Sequence, residues 1–113
     1  MSRATAKQRA AFTHRVMLEI TSNKWEHAAD LAESIMRWSA TYARLQETAC
    51  ERELTKREER KDKRCEEALT EICKPHGIAP VFQGDPRGCT VKLKVPSGYY
   101  DDWGQTGLCV PTS

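Results

Sequence analysis

The chain has no apolar run approaching the roughly 20 residues that a membrane-spanning helix requires. It has no glycine-rich phosphate loop leading into a helix, so the common nucleotide-hydrolase motifs are absent. It has no excess of one charge: 30% of the residues are charged, yet the formal net charge is +2. That balance is too even to mark a nucleic-acid binder by composition, and local clustering has to decide. Residues Met1 to Arg15 lack the apolar core of a secretion signal. These absences lead to the expectation of a soluble, intracellular protein with neither a membrane nor a nucleic acid as partner.

Cysteine is present but in an awkward number. The five are Cys50, Cys65, Cys73, Cys89 and Cys109. An odd count without a secretion signal argues against a disulfide framework. Cys73-Lys-Pro-His76 has the spacing of a ligand pair, and Cys89 with Cys109 would complete a four-ligand zinc site. No second tight Cys/His pair exists, and Cys89 and Cys109 fall where buried strand residues are expected. Small buried thiols are therefore the preferred reading, with no metal and no cofactor.

At 113 residues the chain reads as one domain, helical over 4–74 and sheet-forming over 77–111. A first helix is expected from Thr5 to Thr21, with Phe12, Val16, Met17 and Ile20 at helical spacing and Arg9 and Arg15 off that stripe. Asn23, with Glu26 three residues on, can cap a second helix. No proline or glycine interrupts Trp25 to Cys73, so this second helix is expected to be very long. Its first half carries Leu31, Ile35, Trp38, Tyr42, Leu45 and Ala49 at intervals of 4, 3, 4, 3 and 4, a heptad seam. Such a seam packs on another helix, in the same chain or in a second copy, and a homo-oligomer through the helices is the expectation. From Thr55 to Arg64 the seam gives way to charges of both signs. Lys56, Arg57, Arg60, Lys61, Lys63 and Arg64 form either a solvated face or a basic rim. Apolar spacing resumes at Cys65, Leu69 and Ile72 and ends before Pro75.

The remainder reads as a small antiparallel sheet, with strands at Ile78–Phe82, Cys89–Val95 and Leu108–Val110. Pro80 assigns the first strand to an edge. In the second, Cys89, Val91, Leu93 and Val95 alternate with Thr90, Lys92 and Lys94, so Lys92 is expected on the exposed face. The class is α+β, helices first.

The segment that organises the function is Val81 to Leu93. Two apolar runs flank Gly84-Asp85-Pro86-Arg87-Gly88, a turn offering a carboxylate and a guanidinium fork suited to phosphate-bearing or planar anions. The alternative is a plain hairpin turn with a surface Asp–Arg pair. Phe82, Tyr99, Tyr100 and Trp103 fall in or beside the loops of the sheet, where flat rings stack on a base while Arg87 and lysines hold phosphate; otherwise they simply pack the sheet on the helices. The expected ligand-binding set is Phe82 or Trp103 for stacking, Arg87, Arg57 and Lys92 for phosphate, and Asp85 to orient Arg87 or a ribose hydroxyl. No histidine pairs recognisably with a cysteine, and Asp85, Asp101 and Asp102 read as turn residues, so no enzyme is expected.

Phe82-Gln-Gly-Asp-Pro-Arg-Gly-Cys89, followed by an alternating strand and a Trp-Gly loop, resembles small proteins of tailed bacteriophages in which a helical region precedes a Gly-Asp-Pro-Arg-Gly hairpin. The resemblance covers Ile78 to Pro111. By layout alone, the chain is also similar to phage Thoeris anti-defence proteins of the sponge type, oligomers of long helices and an antiparallel sheet that sequester cyclic nucleotide signals. These resemblances imply a phage protein in the bacterial host cytoplasm, binding a nucleotide-like signal of cyclic nucleotide or ADP-ribose type. The alternative is a helical interaction protein, such as an anti-CRISPR, that blocks a host defence protein.

Overall fold

The computed structural model describes residues 5–20, 24–83, 89–98 and 107–112. Three helices come first: α1 (Ala6–Glu19), α2 (Trp25–Glu51) and α3 (Lys56–Cys73). A three-stranded antiparallel sheet follows: β1 (Ala79–Phe82), β2 (Val91–Lys94) and β3 (Leu108–Cys109), in the order β1-β2-β3. The α+β class, the helices-first order and the edge position of the Pro80 strand all hold. No helix among the described residues is long and apolar enough to cross a membrane.

The expected rod from Trp25 to Cys73 is two helices. Arg52 turns extended (φ −159°, ψ 168°), and the chain restarts at Thr55 through a capping box. Thr55 Oγ1 accepts from the Glu58 N–H at 3.2 Å, and Glu58 Oε1 accepts from the Thr55 N–H at 2.9 Å. Arg52 then locks the turn from outside. Its two terminal nitrogens donate to the two Glu58 oxygens at 2.8 and 2.9 Å. Helix α1 begins the same way, with Thr5 and Gln8 exchanging side-chain and backbone bonds. Helix α2 has Lys24 as its N-cap residue and no side-chain cap bond; the expected cap, Asn23, lies outside the described residues.

The reversal folds α3 back along α2 as an antiparallel pair. Gln46 donates to Asp62 at 2.8 Å, and the Arg64 guanidinium lies over the Trp38 ring at 6.0 Å. The seam is thereby satisfied within the chain. Ile35, Tyr42 and Leu45 are buried together with Cys65, Leu69 and Cys73 of α3, while Phe12, Val16 and Ile20 close the core from the α1 end. Of the residues expected to build an oligomer, Ile35, Tyr42 and Leu45 are thus the protein's own core, Leu31 and Trp38 pack half-buried against it, and Ala49 is exposed. The charged stretch became the exposed first half of α3, and all six of its basic residues face solvent.

Beyond α3, a turn of 3₁₀ helix at Lys74–His76 and a left-handed Gly77 (φ 70°) reverse the chain into β1. The sheet is tied to α1 by a clasp. Glu19, whose side chain is 2% exposed, accepts from the Ser97 hydroxyl at 2.5 Å, the Ser97 N–H at 3.3 Å and Arg15 at 2.8 Å. A buried carboxylate is tolerable only with such donors.

The expectation against disulfides is overturned for one pair. Cys89 and Cys109 are bonded, with Cα atoms 5.7 Å apart. An odd count excludes complete pairing, not one bridge, and a bend at Thr90 returns Cys89 towards β3. The bridge closes a 20-residue separation, which the chain-entropy account values at about 3 kcal/mol. It also removes two of the four imagined zinc ligands. Cys65 and Cys73 are buried thiols, and burial pushes Cys73 up to about 12, so it stays protonated and inert.

Two outcomes follow. Without reductant, iodoacetamide should add one group to the folded chain, at exposed Cys50, and three after unfolding, with the Cys89–Cys109 pair blocked. Peptide mapping by mass spectrometry reads this directly. Second, the Arg52 fork and the Thr55 cap hold the Glu58 carboxyl at about 2, down from 4.5. A depressed carboxylate stabilises fully above its unfolded value and loses that effect as pH falls through its folded value. The urea midpoint of the native chain should exceed that of Glu58→Gln at pH 6, and the gap should close between pH 4.5 and 2.

Candidate functional site

Among the described residues, the expected binding set does not converge. Phe82 ends β1 half-buried, with its ring centroid 5.2 Å from that of Tyr42 at an interplanar angle of 59°. Its open edge faces a shallow trough lined by Glu66, Glu67, Thr70 and Glu71 of α3. That environment repels phosphate. Burial raises both Asp62 and Glu66 above their ordinary values, and the Asp62 charge raises Glu66 further. Tyr42, buried beside them, is pushed up to about 12, by burial first and then by Asp62, Glu66 and Cys65. Phe82 is therefore a packing residue against α2 on an acidic surface.

Arg57 sits exposed in the first turn of α3. It lies nine residues before Glu66, which is about 14 Å along the helix axis, so it does not accompany Phe82. Lys92 overturns the strand-alternation expectation more directly. It is buried at 9% exposure, although it occupies the outer side of β2. Gly107 explains this: a Cβ there would fall 2.7 Å from the Lys92 side chain, so the missing side chain makes room for the lysine stem. Strand β3 pairs Lys92 with Cys109 edge to edge, and the lysine stem lies against Gly107, two residues before Cys109. Phe82 pairs with Val91, and Lys92 is the next residue along β2, so the two side chains project from opposite faces of the sheet. Asp85, Arg87 and Trp103 lie outside the described residues.

A different constellation does form. Arg9 of α1, Arg37 and Arg44 of α2 and Pro111 after β3 line a groove of about 200 Å³, with Glu33, Met36, Ala40 and Thr41. Arg37, Thr41 and Arg44 follow at spacings of four and three, one helix face. Arg37 is paired with Glu33 at 3.0 Å, with both side chains mostly exposed at 74% and 60%. Such a pair contributes about 0–1 kcal/mol and opens readily. Arg44 donates to the Thr41 hydroxyl, which itself donates to the Arg37 carbonyl, each at 3.3 Å. The groove thus sets three guanidinium groups against one carboxylate, on a rigid two-helix floor. Planar forks in that arrangement suit phosphate or carboxylate oxygens.

Sequence reasoning passed over these arginines. Arg9 was visible only as a residue off the α1 stripe. Arg37 and Arg44 are each one position before a seam residue, Trp38 and Leu45, and their seven-residue repeat was the available signal. No group of three or more His, Cys, Asp or Glu side chains among the described residues is arranged to hold a metal ion. The chain matches no protein-family model, no curated protein and no solved structure.

Proposed function

We propose that this chain is a non-enzymatic phage counter-defence protein that binds and sequesters a nucleotide-like anionic signal, with the anionic part held between α1 and α2. The observation that carries the reading is the groove of Arg9, Arg37 and Arg44. The phage assignment is supported by the resemblance of the Gly84–Gly88 hairpin segment alone. In this reading the ligand is bound and kept, and no side chain performs chemistry on it. An assembly of copies would use surfaces other than the Ile35–Tyr42–Leu45 seam, because that seam packs within the chain.

A second reading has its own support. The trough of Glu66, Glu67 and Glu71 beside Phe82 suits a basic protein surface, as a helical interaction protein of the anti-CRISPR kind would need.

One experiment separates these. ADP-ribose and 3′,5′-cyclic AMP serve as probes in thermal unfolding. At a hundredfold excess over Kd, one-site binding adds about 2.7 kcal/mol and a clear rise in Tm. At least one probe should raise the Tm of the native chain and be recovered intact by mass spectrometry after heating. Arg37→Ala/Arg44→Ala should lose the rise while its own Tm moves little, because both arginines are exposed. An unchanged rise in that variant rejects the groove, and an altered ligand rejects the non-enzymatic reading. Arg87→Ala, run alongside, reports whether the hairpin turn belongs to the same site.

A further inference from the structure

We infer that the Arg9–Arg37–Arg44 groove recognises a diphosphate unit, and that it does so without reading a base. This rests on the proposed anion-binding role and narrows it to a ligand class. A groove of about 200 Å³ is below the roughly 300–1,000 Å³ of pockets that enclose a whole small ligand. It has room for the phosphates of a nucleotide and leaves the rest of the ligand outside. Among the described residues that line it there is no aromatic ring, so it offers no stacking platform.

Arg37 and Arg44 are seven residues apart, about 10.5 Å along the helix axis. Extended in parallel from one helix face, with Arg37 released from Glu33, the two forks stand about that far apart. The outer oxygens of a diphosphate lie roughly 5 Å apart, and two charge-assisted hydrogen bonds of about 2.8 Å bring the total to about 10.6 Å. The oxygens of a single phosphate, roughly 2.5 Å apart, reach only about 8 Å by the same sum. Arg9 of α1 lines the same groove as a third fork.

Three guanidinium groups against Glu33 leave a surplus of positive charge that a diphosphate diester, with one charge on each phosphate, matches. The cost of releasing Arg37 from Glu33 is small, because the pair is exposed.

The test is titration calorimetry of the full chain with orthophosphate, pyrophosphate, AMP, ADP and GDP. Pyrophosphate, ADP and GDP should bind within about threefold of one another, and orthophosphate and AMP should bind at least about tenfold more weakly. Arg37→Lys and Arg44→Lys should each weaken pyrophosphate by about tenfold or more, since a point charge does not replace a fork. Orthophosphate binding as tightly as pyrophosphate overturns the inference. So does a preference between ADP and GDP beyond about tenfold, or AMP binding that pyrophosphate cannot displace. Those outcomes leave a nucleotide-binding groove standing. Failure of all five probes, together with ADP-ribose and cyclic AMP, removes both the inference and the reading beneath it.

Discussion

The reversal at Arg52–Thr55 is the constraint on which the arrangement of this protein depends. A helix continued through it would leave the Tyr42–Leu45 face of α2 without a partner, and would carry Cys65, Leu69 and Cys73 away from any core. Turning back lets α3 cover that face. Each large aliphatic or aromatic side chain so buried contributes about 1.5–3 kcal/mol, so the hairpin outweighs the few backbone bonds a continuous helix would keep. The sheet then has a surface to lie on. Helix α3 contacts β1 directly, and Phe82 closes over Tyr42. Helix α1 also packs on α2, its Phe12, Val16 and Ile20 joining the same core, and the arginine groove lies where α1 and α2 meet at the surface.

The parts of this fold that sequence made plain are those where periodicity and punctuation agree. Helix α1, the end of α3 before Pro75 and the three strands each combine an apolar period with a proline, a glycine or a cap. The reversal had no proline or glycine. Its signal was Thr55-Lys-Arg-Glu58, the same box as Thr5-Ala-Lys-Gln8, set inside a charged run where helix-favouring i,i+4 pairs also read well. The seam told a true story about burial and was silent about the partner. A heptad pattern specifies that something helical lies opposite, and α3 of the same chain fulfils it as well as a second copy.

Lys92 and the Cys89–Cys109 pair failed for a related reason. Strand alternation assigns sides, but exposure depends on what later covers each side. Here β3 pairs beside β2, setting Gly107 against the lysine stem and bringing Cys109 to Cys89. Neither event has a local cause in the residues of β2. The candidate groove is similarly non-local. Arg37 and Arg44 share a face by their spacing, but only the packing of α1 on α2 adds Arg9, and only the end of the chain adds Pro111.

A formal charge of +2 hides how this molecule sorts its charges. Lysines and arginines of early α3 are spread in solvent, where screening weakens each beyond about 8–10 Å. By contrast, α2 and α1 gather three arginines in a concavity, and late α3 gathers three glutamates beside Phe82. Concave, low-dielectric walls focus a field that a convex helix face disperses. Ligand sign is then decided groove by groove, not by the sum over the chain. An aromatic ring on the acidic side and forks on the basic side cannot serve one phosphate-bearing ligand from a common site. This is why the proposed anion-binding role is assigned to the face shared by α1 and α2 and not to Phe82, Arg57 and Lys92.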